Sequence, residues 1–335
     1  MKSINTLRPV HQRIPKRDKI IQETDTDALS SKYSAYRKKY LDDPFIEILV
    51  RQTQAESSSA SKAFVNKLPL INRGTYVRNK SIDLLLEEFA KTGERKQIIS
   101  LGSGSDTRPF HVLDKYPDII YHEIDFAVST SRKVRAILGN QELTRRVGKN
   151  VSSFEKTDEL HTEKYHLHAL DLRTLAQDSS LLPHMDSSLE TLVISECCLC
   201  YLEPAQSEMV INWLITNFTK GLGIALYEPI SKNDSFGEIM IHNLAQRGIS
   251  LPTLTKYPTL QSQIERLKTH GFQWAYSADV HTIHDRWLDE NDRKRIDGLE
   301  FLDEREEMNL LLQHYCVVWG GTSNLLWKSK YSMLT

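Results

Sequence analysis

Between residues 97 and 228 the chain alternates short apolar runs with amphipathic ones. Q-I-I-S-L (97–101), I-I-Y-H-E-I-D (119–125), Y-H-L-H-A-L (165–170), T-L-V-I-S-E (191–196) and G-I-A-L-Y-E (223–228) have strand length and strand composition. Helical periodicity near 127–138 and 205–219 separates some of them. That alternation predicts a parallel, doubly wound α/β sheet. Two later runs, F-Q-W-A-Y (272–276) and H-Y-C-V-V-W (314–319), would bring it to seven strands, with L-E-F-L-D-E-R-E-E-M-N-L-L-L between them read as helix. Upstream, residues 24–92 read as a helical cap: T-D-T-D-A-L offers N-cap residues, and S-I-D-L-L-L-E-E-F-A is strongly amphipathic. Residues 1–20 are polar, basic and interrupted by Pro9 and Pro15, which predicts a disordered tail. No repeat, low-complexity tract or Pro/Gly-rich linker interrupts residues 25–320, so 21–335 is expected to be one domain.

Composition narrows the class. The 335 residues are 40% hydrophobic and carry a formal charge of −1, which supports a sizeable core and argues against a general nucleic-acid binder. Four cysteines, three of them in C-C-L-C at 197–200, form no disulfide framework and suit a reducing compartment. No apolar run approaches the roughly 18 residues of a membrane helix, and the N-terminus lacks the apolar core of a secretory signal. The expected location is cytoplasmic, away from membranes. No heptads are visible, so a monomer is expected.

The candidate chemistry begins at L-G-S-G-S-D-T-R, where the first central strand meets a glycine turn. Glycine there lets a ligand approach the backbone closely. Asp125 ends the next strand, where a carboxylate can accept two ribose hydroxyls. This is the plan of an adenosine-cofactor fold. A dinucleotide also needs its pyrophosphate at the following helix N-terminus, and Asp106 puts a negative charge in that turn. S-adenosylmethionine has no phosphate, so the loop favours it over a nicotinamide dinucleotide. Two more acids close successive strands: Asp171, followed by Leu172, and Glu196. They are expected at the adenine and at the methionine ammonium, because ligands of open α/β sheets bind beyond the carboxyl ends of the strands.

At these residues the sequence resembles the leucine carboxyl methyltransferases, which methylate the C-terminal leucine of the protein phosphatase 2A catalytic subunit. The resemblance runs from about residue 22 to 320, through D-A-L-S-S-K, L-I-N-R-G-T-Y-V-R, L-G-S-G-S-D-T-R, E-I-D-F, A-L-D-L-R, I-S-E-C-C-L-C-Y-L and D-S-F-G-E-I-M-I-H-N-L. It implies a class I methyltransferase fold, Rossmann-like, with added N-terminal helices and a lid insertion. It implies S-adenosylmethionine as cofactor and the phosphatase catalytic subunit as partner. Carried onto this chain, Arg78 corresponds to an arginine for the methionine carboxylate and Lys32 to a lysine of the segment closing over the cofactor. Gly102 corresponds to the loop contact, Asp125 to the ribose carboxylate, Asp171 and Leu172 to the adenine contacts, and Glu196 to the acid at the methionine end. Residues 140–164 do not align usefully, and S-A-Y-R-K-K-Y-L-D-D-P-F is basic before its D-P-F element.

A C-terminal carboxylate is ionised at neutral pH, with a reference pKa near 3.5, so no general base is expected. Tyr201, just past C-C-L-C, and Arg73 are the candidate orienting groups. Residues 229–270 are expected to form a lid, with Met240, Leu244 and Leu251 available to a leucine side chain. No metal is expected: C-C-L-C has no second ligand pair. His166 and His168 share a strand face without matching acids, as a packed pair would. The competing readings are a small-molecule or RNA methyltransferase of the same fold and a non-catalytic phosphatase-binding module.

Overall fold

A computed structural model describes residues 15–56, 63–91, 94–148, 157–175, 177, 180–303 and 305–335. In chain order the helices and strands are α1 (Lys16–Arg37), α2 (Phe45–Glu56), α3 (Pro69–Ala90), β1 (Lys96–Leu101), α4 (Arg108–Lys115), β2 (Ile119–Asp125), α5 (Ala127–Leu138), α6 (Gln141–Val147), β3 (Leu160–His161), β4 (Tyr165–Ala169), α7 (Leu172–Leu175), β5 (Thr191–Glu196), α8 (Pro204–Asn217), β6 (Leu222–Pro229), α9 (Ser235–Gln246), α10 (Pro252–Lys256), α11 (Leu260–Thr269), β7 (Trp274–Asp279), α12 (Val280–Arg286), α13 (Glu290–Asp297), α14 (Arg305–Gln313) and β8 (Tyr315–Gly321).

The strands form one sheet in the order β3-β4-β2-β1-β5-β6-β8-β7. The five central strands are parallel, and β8 runs antiparallel between β6 and β7. All five strands read from the apolar pattern between 97 and 228 are present, as are the two later ones. An eighth, β3, pairs antiparallel with β4 through only two residues. It is too short for an apolar pattern to mark it.

The parallel strands are buried on both faces, which is why they read as near-continuous apolar runs. Alternation sorts their side chains. Ile98, Tyr121, Leu192 and Ile194 face a core shared with α3, α4, α5 and α6, whereas Ile99, Leu101, Ile124 and Val193 face one shared with α7, α8 and α11. Helices α1 and α2 pack together over a smaller cluster of Leu29, Ile46, Leu49 and Val50.

Three boundaries differ from the sequence reading. The first helix starts at Lys16, so 16–20 are helical and only 1–14 of the expected tail lie outside the described residues. T-D-T-D does not cap a helix but sits within α1, because its acids bond other elements instead: Asp25 takes the Ser105 amide and Asp27 pairs with Arg247. The helix expected from residue 299 begins at Arg305, and α12 and α13 precede it. The stretch expected as a lid, 229–270, is not one unit. Within it, α11 is a structural layer whose Arg266 and Leu267 are fully buried against the sheet. No helix of the described residues is long and apolar enough to cross a membrane.

Arg266 shows what holds that layer. Its guanidinium lies 3.6 Å from the buried Glu228 of β6, donates to Gln263 and Ser207, and stacks over Tyr257. Burial raises the Glu228 pKa, and Arg266 opposes that rise. The Arg266→Met variant is expected to lose about 3–5 kcal/mol in denaturant unfolding, because it leaves a buried charge alone. A folded-state carboxyl pKa that is raised favours the protonated native state, so this loss should shrink as the pH falls. Adding Glu228→Gln should recover most of the loss.

Candidate active site

The chain runs outward from β1 to β2 and β4 on one side, and returns through β5 and β6 on the other. A crevice opens at such a switch point, beyond the carboxyl ends of the strands. Here it is a cavity of about 350 Å³, in the range of small-molecule sites. Lys32, Arg78, Gly102, Asp125, Asp171, Leu172, Glu196 and Tyr201 all line it. Arg73 does not. It points the other way along α3, buried against Asp297 at 2.5 Å and the Ile296 carbonyl, where it ties α13 to α3. Arg73 is therefore a structural anchor and not an orienting group at this site. Of the three lid residues named from sequence, Leu244 lines the cavity and Met240 and Leu251 do not.

The floor is set by the glycine turn. Gly102 and Gly104 have φ of 61° and 47°, a region that side chains disfavour. Close packing adds a second constraint, since a Cβ on Gly102 would overlap Cys198 Sγ, and one on Gly104 would overlap the Asp25 carboxylate. The turn also orients Asp125. The Gly104 amide donates to one of its oxygens and the Phe126 amide to the other, each at 2.6 Å. Among the described residues no cation pairs with this carboxylate. Burial, followed by the charge of Asp25, pushes its pKa up to about 6.

The other end of the cavity contains a buried relay of charges. Lys32 and Arg108 hold the two oxygens of Asp106, each at 2.9 Å. Arg108 also reaches Asp83 at 2.5 Å and Glu196 at 2.8 Å, and Arg78 takes the other Glu196 oxygen at 2.5 Å. Arg78 packs its guanidinium over the Tyr227 ring. Burial alone would raise the pKa of Glu196, but Arg108 and Arg78 overcome that and hold it low. Asp106 is held far below the ordinary carboxylate range in the same way, by Arg108, Lys32 and Lys133.

This changes the argument drawn from Asp106. It is no bare charge in the turn but a fully paired one. It still excludes a pyrophosphate, for a different reason: its carboxylate occupies the start of α4, where it receives the Arg108 amide at 3.4 Å. The sequence reading missed Arg108 as the hub. Its signal was in L-G-S-G-S-D-T-R, where an arginine two residues after an acid in a buried turn had to find partners.

The roof is α1. It contributes Arg17, Ile21, Asp25, Ala28 and Lys32 among its lining residues. Its outer turns are held by ion pairs to separate elements: Arg17 to Glu203, Asp18 to Arg173, Asp25 to Arg132, and Asp27 to Arg247. Arg173 also clasps Asp171, with Nε 2.9 and 3.0 Å from its two oxygens.

The family pattern of the leucine carboxyl methyltransferases matches residues 20–215, which include every cavity residue named above except Arg17, Asp18, Leu244 and Arg247. The chain belongs to the leucine carboxyl methyltransferase family. It is 52% identical to leucine carboxyl methyltransferase 1 of Yarrowia lipolytica, over 91% of this chain and 98% of that one. Identity is 44% to the Emericella nidulans protein of that name, over 91% and 85%, and 33% to the Arabidopsis thaliana homolog, over 90% and 88%. Solved structures align more loosely. An O-methyltransferase family protein from Burkholderia thailandensis reaches a TM-score of 0.44 at 12% identity, over 81% of this chain and 62% of that one, too distant to inform the site.

The enzyme is therefore a carboxyl methyltransferase, and its cofactor is S-adenosylmethionine. The cavity fits that group by its mixed charge. It offers an acid without a cation beside the glycine turn and paired cations and acids at the far end, as a ligand carrying a diol, an ammonium and a carboxylate requires.

The ties on α1 include exposed pairs, individually worth about 0–1 kcal/mol and weakened by salt. Amides of residues 18–28 are expected to exchange hydrogen about three- to tenfold faster at about 0.5 M than at about 0.05 M salt, with β1 and β5 unaffected. Equal rates at both salts would mean that apolar packing alone closes the roof.

Proposed function

We propose that this enzyme transfers a methyl group from S-adenosylmethionine to the α-carboxylate of the C-terminal leucine of the protein phosphatase 2A catalytic subunit. One observation carries the reading: the family match spans 20–215, and the six polar or glycine positions read from it meet around one cavity.

The assigned roles follow the chemistry of each group. Asp125 accepts from the ribose, since a carboxylate has about four acceptor sites and two amides with the Ser129 hydroxyl still leave room. Gly102 keeps the floor open. Leu172 is an apolar wall for the adenine, and Asp171 accepts its amino group by sharing a carboxylate with Arg173. Glu196 meets the ammonium, and Arg78 and Lys32 meet the carboxylate. These last three are fixed by Arg108 and Asp106 before any ligand arrives, so little reorganisation is needed.

When bound, the cofactor supplies an electrophilic methyl on a sulfonium. The protein supplies no base, because the leucine carboxylate arrives ionised. Its task is to align that oxygen with the methyl and to exclude water under α1. Tyr201 lines the cavity on a short helical turn after β5, and burial keeps its hydroxyl protonated as a donor. It is the orienting group that remains once Arg73 is excluded. Tyr201→Phe should lower kcat with little change in cofactor affinity; unchanged turnover would remove Tyr201 from the mechanism.

The substrate assignment is tested with labelled S-adenosylmethionine and purified phosphatase catalytic subunit, intact or lacking its terminal leucine. Base-labile label on the intact protein alone is the expected result. Label on neither, with cofactor binding intact, would refute the substrate and leave the cofactor site standing.

Asp125 gives a pH signature. The ribose is best accepted by the ionised carboxylate, and the free enzyme's pKa near 6 means that binding must expel a proton at lower pH. Cofactor affinity by calorimetry should be level above pH 7 and fall by up to about tenfold per unit below 6. Asp125→Asn should bind weakly at all pH values and lose that slope.

A further inference from the structure

Five histidines gather on the sheet at the edge formed by β3, β4 and β2, outside the cavity. Register makes the core of this group. His161 lies opposite His166 across β3 and β4, and His122 lies opposite His166 across β4 and β2. Three imidazoles thus form a row across three strands, and His168 stands two residues further along β4 on the same face. His184 enters from the loop before β5. It adopts a left-handed φ of 68°, rare for a residue with a side chain, and stacks on His166 with ring centres 4.6 Å apart and planes within 8°. Its ring is also 4.9 Å from that of His161.

We propose that His161, His166 and His184 bind one divalent transition-metal ion of the zinc type. Their ligand nitrogens lie within 4.8 Å of one another. Nitrogens on a tetrahedral zinc are about 3.3 Å apart at Zn–N of about 2.0–2.1 Å, so rotation of the rings by an ångström or so closes the site. Four of the five histidines are buried and His184 is exposed, which gives the ion a path in and leaves a position for water. His166 Nδ1 is buried and, among the described residues, has no hydrogen-bond partner. A buried imidazole nitrogen without a partner is costly, and a metal satisfies it.

The donor set selects the ion. Neutral imidazoles with no thiolate suit zinc, cobalt, nickel or copper, and do not suit magnesium or calcium, which require oxygen. The Glu159 carboxylate lies 3.7 Å from His161 Nε2, close enough to become its hydrogen-bond acceptor once the ring turns to ligate. His122 and His168 contact each other at 3.2 Å and back the site from the strand side. An ion here would tie the two-residue strand β3 and the loop of His184 to β4. It has no role in methyl transfer, so the site stands or falls independently of the proposed function.

The test uses the full-length, untagged chain stripped of metal and titrated with cobalt(II). The expected result is one ion per chain, visible absorption bands of a tetrahedral nitrogen site, and displacement of those bands by zinc. Zinc should also raise the thermal midpoint. His184→Ala removes only an exposed ring and should weaken cobalt binding at least tenfold while leaving S-adenosylmethionine binding unchanged. His281→Ala, on α12, should bind cobalt as the parent does. Absence of the bands at a large excess of cobalt, or a His184→Ala variant that titrates like the parent, overturns the proposal.

Discussion

The relay Lys32–Asp106–Arg108–Glu196–Arg78 is the interaction on which the site depends. Each member comes from a different element: α1, the glycine turn, the first residue of α4, the end of β5, and α3. Stripping five charges of water is expensive, and only mutual pairing offsets it. The consequence is geometric. A buried ion that moves leaves two partners uncompensated, so the relay fixes where α1 sits over the sheet and where Glu196 points. Pairing also sets protonation. With Arg108 and Arg78 on its two oxygens, Glu196 stays ionised despite its burial, whereas Asp125, held by neutral donors alone, is allowed to drift upward.

The contrast between those two acids divides the cavity. At one end charges are locked in place, which suits recognition of a ligand's own charged groups. At the other an underpaired carboxylate faces the glycine turn and waits for neutral hydroxyl donors. A single strand-end pattern, acid after acid, therefore produces two different electrostatic environments, and the difference comes from the neighbours and not from the acids.

That distinction marks the limit of what the sequence discloses. Strands β1, β2, β4, β5 and β6 were legible because strands buried on both faces must be apolar along their length. Gly102, Asp125, Asp171, Leu172 and Glu196 were legible because strand ends and a glycine turn have fixed positions in an open parallel sheet, whereas Lys32 and Arg78, on α1 and α3, came only from the family resemblance. Arg73 was not. It and Arg78 lie on one helix five residues apart, and only the rotation of α3 sends one to Asp297 and the other to Glu196. Asp106 was read as a charge without partners because Lys32 is 74 positions away in sequence. The start of α1 was hidden by its acids, which look like caps until the elements that bind them are in place. Residues 229–270 looked like one insertion, yet Arg266 commits its last helix, α11, to the sheet.

The roof of the cavity has a further meaning for how the protein is made. Helix α1 is the first described element to leave the ribosome, but its tethers are distant in the chain. Asp18, Arg17 and Asp27 meet partners 155, 186 and 220 residues later. Nascent chains emerge at about 5–20 residues per second, so α1 waits on the order of ten seconds or more for the last of them. During that time its cavity-facing side has nothing to cover. Helix α1 can pack on α2 early, but its ion-paired side is tied down late, and the roof lacks its last tether until Arg247, just past α9, has been translated.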